Sequence, residues 1–522
     1  MKKLIVLALT AGLLCGFSVK SHAIDYNVKG QWIMSFGYGQ NGGFTGGNGQ
    51  TGYNSYMNPK QDEFDPEQRL RLQLTAATSE NVSGTVFFEI GNSRWGTARS
   101  GGALGADQSI VEVKNAYLDW AIPDSTFKVR MGIHAPMAPS FALEKPQSFG
   151  DDAAGVTASY QFNENVGLTA FWVRALNDNY TAANTNNIRY SNYMDNVDIG
   201  LLALPLTFNG VKLTPWGMMG GIGPNAFADK ANNNFGGLEN NSLGVSCPFV
   251  LSGMVPAWGV VGSDGRTMDQ TKLKSYGTAW WGGLTGDFTT WDPFHVAFDF
   301  TAGGVQYDNS RLNRAGWMGA LLLEYKLDWS IPGLLAWYAS GDDDNLGNGS
   351  ERLPMLDTGG NNNAFSRFAF DGDTHIAREG TVGTGMDGTW GIGARLKDFS
   401  FVERLKHTVL INYIGGTNDH NILKELHKAN VYPTPNYTGK VVGGIPKAGV
   451  NNLYLTDLDS AIEFAVYNEY KMYDNFKILL DASYIALSLD KSQNTWGNSK
   501  MNGRSDNVRD AWDVNLSFIY SF

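Results

Sequence analysis

The chain has 522 residues, 63 of them glycine, with 12% aromatic side chains, a formal net charge of −11 and a mean hydropathy of −0.24. These values exclude a helical membrane protein, which needs about 20 consecutive apolar residues per span, and the acidic balance argues against nucleic acid as a partner. A membrane β-barrel stays open, because its strands place only every second residue against lipid.

Met1 to Ala23 reads as a secretory signal: Lys2 and Lys3, an apolar run from Leu4 to about Val19, then Ser21-His22-Ala23 as a small-x-small cleavage site. The run is too short for a comfortable membrane anchor. Cys15 does not mark a lipoprotein, since Gly12 rather than leucine lies three residues before it. A mature chain, 24–522, is expected as one barrel domain. It keeps only Cys247, so no intramolecular disulfide can form.

The first mature segment alternates with period two. Ile24, Tyr26, Val28, Trp32, Met34, Phe36 and Tyr38 share one face, and Asp25, Asn27, Lys29, Gln31 and Ser35 the other. Leu70, Leu72, Leu74 and Ala76 then oppose Arg69, Arg71, Gln73 and Thr75. Further strands are expected near 82–92, 109–121, 127–134, 154–162, 166–175, 196–204 and 211–220. Others follow near 276–287, 294–306, 314–327, 333–340, 388–397, 404–415, 457–472 and 476–488. The last, near 508–522, sets Trp512, Val514, Leu516, Phe518, Tyr520 and Phe522 against Asp513, Asn515, Ser517, Ile519 and Ser521. Eleven such residues suffice to cross a bilayer as a tilted strand, which takes about 9–11. The count is eighteen, with sixteen as the alternative.

The connections alternate in length. Short ones include Thr78–Asn81, Ile122–Thr126, Asn163–Asn165, Asp328–Pro332 and Tyr473–Asn475. Long ones cover about 39–66, 93–108, 135–153, 176–195, 221–275, 341–387, 416–456 and 489–507, and the link near 307–313 is short where a long one is due. Tight periplasmic turns and long outer loops make this pattern in an outer-membrane barrel. Hydrocarbon offers no partner to backbone N–H and C=O groups, so strands cross it only as an edge-free cylinder. Sixteen to eighteen strands leave a lumen wide enough for water. The expected fold is therefore an all-β transmembrane antiparallel barrel.

Several stretches resemble the outer-membrane homotrimeric porins of sulfate-reducing, Desulfovibrio-type bacteria, relatives of the general bacterial porins. They are Ile24-Asp25-Tyr26 running into Gln31-Trp32-Ile33-Met34, Gln68 to Leu74, Ser79 to Gly84 followed by Phe87-Phe88-Glu89, Lys114 to Trp120, and Phe522. The resemblance implies a homotrimer in the outer membrane, in contact with lipid and lipopolysaccharide. It also implies that the terminal aromatic strand (Trp512, Phe518, Tyr520, Phe522) is read by the barrel-assembly machinery.

General porins fold their third outer loop into the lumen, its acids facing basic residues of the wall. Here that loop, about Ala135–Gly155, holds Glu144, Asp151 and Asp152, and inward strand positions hold Arg69, Arg71, Lys128 and Arg130, with Lys114. Opposed charges across a narrow aqueous passage would set a transverse field and bias ion selectivity. The plainer alternative is solvated barrel wall. Charge turned to lipid would cost about 2–4 kcal/mol per arginine or lysine, so the basic residues are expected to face inward.

Gly341-Asp342-Asp343-Asp344-Asn345 suggests calcium, but Leu346 stands where an EF-hand ligand belongs, and an acidic outer loop is the preferred reading. No cofactor is expected; divalent cations loosely bound at outer loops are the alternative. His420, Glu425 and His427 read as surface residues. Trp120, Trp172, Trp329, Tyr413, Tyr520 and Phe522 suit an aromatic girdle, or reflect ordinary strand propensity. Inward Phe87, Tyr117 and Trp216 suit either a sugar-stacking track or space-filling beneath the loop. Four functions compete: a passive diffusion channel, a channel specific for carbohydrate or carboxylate, a barrel enzyme, and a soluble lectin or glycanase. No Ser/His/Asp arrangement supports catalysis, and the passive channel leads.

Overall fold

The computed structural model describes 24–40, 62–98, 101–105, 111–143, 145–177, 194, 196–224, 226, 252–256, 273–356, 366, 368–370, 382, 385–422, 424–425, 431–435, 448–450, 455–490 and 510–522. The expected signal segment lies outside the described residues.

The strands are β1 Asp25–Gln40, β2 Asp62–Ser79, β3 Val82–Arg94, β4 Glu112–Ala121, β5 Lys128–His134, β6 Ala153–Gln161 and β7 Gly167–Leu176. Then come β8 (Val197–Ala203 and Leu206–Phe208), β9 Val211–Ile222, β10 Gly277–Phe288, β11 Phe294–Gln306, β12 Arg314–Tyr325 and β13 Ile331–Ala339. The last are β14 Thr389–Val402, β15 Leu405–Gly416, β16 Ser460–Tyr473, β17 Phe476–Ser488 and β18 Ala511–Ser521. The two pieces of β8 pair in succession with β9 and are one strand, interrupted at Leu204-Pro205 because proline has no N–H for the ladder. Each of these strands pairs antiparallel with its chain neighbour, and β1 pairs with β18; Val431–Pro435 and Ala448–Val450 form a separate parallel pair. The result is a closed eighteen-strand antiparallel barrel, with the strands where the sequence places them. β2 begins well before its expected start near 69.

Closure happens at one seam. The N–H of Gly30 donates to the carbonyl of Phe522 at 2.8 Å, and the N–H of Phe522 returns the bond at 3.0 Å. A side chain on Gly30 would meet the Phe522 ring, which packs over the glycine. Aromatics reinforce the seam on the outside: Phe36 with Phe518 (6.1 Å) and Tyr38 with Trp512 (5.5 Å).

The outer surface is an apolar belt. Trp32, Leu74, Leu118, Trp120, Met131, Trp172, Trp280, Phe300, Trp317, Ile392, Tyr413, Leu480 and Tyr520 are all exposed on it. One end carries tight turns such as Asn209-Gly210, where Gly210 has φ +70° and suits a two-residue hairpin. The other end carries the longer connections. Among the described residues no helix is long and apolar enough to cross a membrane.

The inner surface divides in two. From β7 to β13 much of it is apolar and buried: Phe171, Val173, Ile199, Leu201, Met218, Trp281, Met318, Leu322, Leu335 and Trp337. From β17 through β1 to β6 it is mostly polar: Asp481, Asp513, Asn515, Ser517, Ser35, Glu67, Arg69, Thr85 and Asn115.

Candidate functional site in the barrel lumen

Arg69 and Arg71 lie on the inward face of β2, because Leu70, Leu72 and Leu74 take the apolar outside and a strand alternates. Arg71 Nε donates to Glu89 Oε2 at 2.6 Å, and Arg69 Nε lies 4.0 Å from Glu89 Oε1. β2–β3 register sets Arg71 opposite Glu89. At the loop end Arg94 pairs with Asp65 at 2.5 Å.

On β5, Lys128 and Arg130 also point inward. Arg130 grips Asp119 of β4 with both arms, at 2.7 and 2.9 Å, and lies 4.1 Å over the Tyr117 ring. Asp119 stands directly across the ladder from Arg130, which favours this bidentate geometry. Lys114 occupies a bulge between β3 and β4, since Phe87 pairs with Asn115 and Phe88 with Val113. The bulge lets Lys114 and Asn115 both hold Asp152, the latter through a 2.6 Å amide bond to Oδ1. Thus Lys114 and Asp152 are brought together as an ion pair at the root of the loop. Asp151 is beside them, accepting the Asp152 N–H at 2.6 Å. Glu144 lies outside the described residues.

Residues 140–143, between β5 and β6, lie against the inward face of β11, and their fastening is a residue that sequence reading passed over. Asp299, inward on β11, accepts from four donors: Phe141 N–H (2.7 Å), Ala142 N–H (2.9 Å), Leu143 N–H (2.8 Å) and the Ser140 hydroxyl (2.8 Å). The loop leaves β5 and returns to β6, yet it is pinned five strands farther round. Phe149 then packs on Phe171 at 5.6 Å. A charge at an inward, otherwise apolar position (Ala297, Asp299) was the available signal.

The described residues 366 and 368–370, in the connection between β13 and β14, also reach the inner wall. Glu463, inward on β16 and 0% exposed, accepts at Oε1 from Phe368 N–H (2.9 Å), Ala369 N–H (3.3 Å) and the Ser366 hydroxyl (3.3 Å). Asn412 donates to its Oε2 at 2.8 Å. The base of this loop is a buried cluster in which Asp387 Oδ2 takes Arg314 at 2.6 Å and Arg352 at 2.8 Å. The two loops meet: Met386 N–H donates to Gln147 Oε1 (3.0 Å) and Leu356 N–H to the Ser148 carbonyl (2.9 Å). Trp216 is buried, its indole lying over Gly283, and so fills space there.

Toward the turn end a chain of charges runs across the wall. Lys212 meets Asp287 (3.2 Å), which meets His295 Nε2 (2.6 Å); His295 Nδ1 meets Glu324 (3.0 Å), which meets Arg395 and Lys397 (2.7 Å each). Lys477 and Glu469 pair at 3.0 Å. These residues come from six or more strands, so no local spacing announces them.

The acidic run at the start of the second loop does not gather around a centre. Asp342 Oδ1 accepts from the Ser350 hydroxyl (2.5 Å) and Glu351 N–H (2.9 Å), while Asp343 accepts from Asn345 N–H (2.8 Å) and Asn348 (2.9 Å). Among the described residues no three His, Cys, Asp or Glu are placed to hold a metal. Burial, aided by Asp342 and Asp343, pushes the Glu351 carboxyl up to about 7. His420 pairs with Asp457 at 3.1 Å; His427 and Cys247 lie outside the described residues.

No protein-family model matches the chain, and no curated protein matches its sequence. Among solved structures, OccK2 (OpdF) of Pseudomonas aeruginosa in complex with glucuronate is similar at 10% identity and TM-score 0.49, over 95% of this chain and 98% of that one. OccAB2 of Acinetobacter baumannii is similar at 11% identity and TM-score 0.48, over 95% and 98%. OprD of Pseudomonas aeruginosa is similar at 10% identity and TM-score 0.46, over 95% of each chain. The likeness is one of backbone course.

Proposed function

We propose that the chain is an outer-membrane porin, a water-filled channel for passive movement of small hydrophilic solutes and ions. One observation carries the reading: inside a closed barrel with an apolar outer belt, inward charged side chains are open to water. Arg130 is 42% exposed, Lys212 54% and Lys477 42%. Such groups would be prohibitively costly in a dry core, and a lipid-facing belt has no other use on a cylinder whose backbone is fully paired. The chemistry is conduction rather than catalysis. Lipid and lipopolysaccharide are the natural partners of the belt, and the family resemblance favours a homotrimer built by the barrel-assembly machinery.

A second, narrower reading has its own support. Two joined inward loops restrict the lumen. Basic residues (Lys128, Arg130, Lys212, Arg395, Lys397, Lys477) outnumber their acidic partners (Asp119, Asp287, Glu324, Glu469) toward the turn end. This favours anionic solutes over cationic ones. The purified protein, run on gels with and without boiling and then reconstituted in planar bilayers, tests both. A heat-modifiable band and stepwise conductance are expected, and absence of steps from folded barrel would refute the channel. Concentration-dependent block by a carboxylate, and not by a neutral sugar of the same size, would favour the anion-selective form.

A further inference from the structure

We infer that Asp299 and Glu463 are positioning residues: two wall carboxylates that hold the inward loops and thereby set the width of the passage. The inference rests on the channel reading.

Both carboxylates are held in the same manner. Each projects inward from a strand remote from the roots of the loop it holds or beyond the adjacent wall. Each receives two or more backbone N–H groups from neighbouring loop residues, together with a serine hydroxyl. Both are buried, Asp299 at 9% and Glu463 at 0% exposure. Burying a carboxylate is unfavourable unless several donors converge on it, as they do here, and an apolar residue in its place would leave those backbone N–H groups without an acceptor. The neighbours on the same inward faces, Ala297 and Thr301 beside Asp299 and Ala461 and Ala465 beside Glu463, are small. What a carboxylate adds is geometry. Amide hydrogens aimed at one acceptor fix the loop backbone on the wall, where apolar packing would let it slide.

The two fastenings are linked. Gln147 and Ser148 of one loop bond Met386 and Leu356 of the other, so each clasp braces both loops. Loss of one clasp leaves the other to brace both loops; loss of both leaves them held at the Arg314–Asp387 base and by apolar packing. The double variant should therefore exceed the sum of the single ones.

The test is single-channel recording of Asp299→Asn, Glu463→Gln and the double variant beside wild type, each first shown to give the heat-modifiable barrel. Expected is a rise in unitary conductance in each single variant, a rise of about two-fold or more in the double, and increased open-channel noise. Unchanged conductance and noise in all three folded variants would overturn the inference while leaving the channel reading intact. Wild type that conducts nothing would instead overturn the channel reading. Ala142→Pro, which deletes one donor and leaves the wall untouched, covers the case in which Asp299→Asn fails to assemble. It should widen the passage as well, and an unchanged conductance there would count against the inference.

Discussion

The two sides of the lumen wall are built on different principles. From β7 to β13 the inward residues are largely aliphatic and aromatic, and the loops that fold in lie against them, with Phe149 on Phe171 and Phe370 edge-on to Trp337 at 5.9 Å. From β17 to β6 the inward residues are charged or hydroxylic and are satisfied by neighbours across the ladder, as in Ser35 with Asn515 (2.6 Å) or Arg71 with Glu89. The first side works as half of a protein core, whose other half is the loops. The second is a polar lining whose buried members satisfy one another across the ladder.

Substitutions should separate the two sides by kind of effect. The largest loss of stability is expected on the apolar side. Trp337→Ala removes a buried indole that packs on Phe370 and donates to Thr389 (3.1 Å), and should cost about 3–5 kcal/mol. It would appear as a lower temperature of conversion of the heat-modifiable band. Next, Asp387→Asn leaves Arg314 and Arg352 buried around a neutral group, at about 3 kcal/mol. Its readout is earlier proteolysis of 340–388 in intact vesicles, with the barrel band retained.

On the polar side, replacing Arg130 by serine should change stability little, since its half-exposed pair with Asp119 contributes about 1 kcal/mol or less, whereas replacing Arg69 and Arg71 as well leaves the largely buried Glu89 without its cations and should cost more. The reversal potential in a salt gradient should nevertheless move toward cation selectivity. An unchanged potential would remove these residues from the conducting path.

The smallest effect concerns pH. The folded Glu351 carboxyl sits near 7, above the ordinary value of about 4.3, so its contribution to loop stability is fully present below that ordinary value and is lost as pH rises through about 7. Protease should therefore cut 340–388 more slowly at pH 5 than at pH 8, and Glu351→Gln should flatten that difference.

Strand positions and their faces were legible in the amino-acid order, because period-two alternation is a local property and a charge against lipid is too costly to tolerate. Arg69, Arg71, Lys128 and Arg130 were read inward from phase alone. The partners of those charges were not legible. Glu89 meets Arg71, and Asp119 meets Arg130, through ladder register, which depends on turns and bulges. The bulge at Lys114 brings it together with Asp152 at the loop root, a pairing that strand phase does not encode. Nor did the chain order reveal that Asp299 receives residues 140–143 and Glu463 residues 366 and 368–369. Those contacts join residues 94 or more positions apart, and only the cylinder brings them within hydrogen-bond reach. Sequence by itself determined a cylinder with an oily outside and polar residues within. Tertiary structure decided which inward residues the loops are fastened to, because those fastenings join distant donors and acceptors rather than following any repeat along the chain.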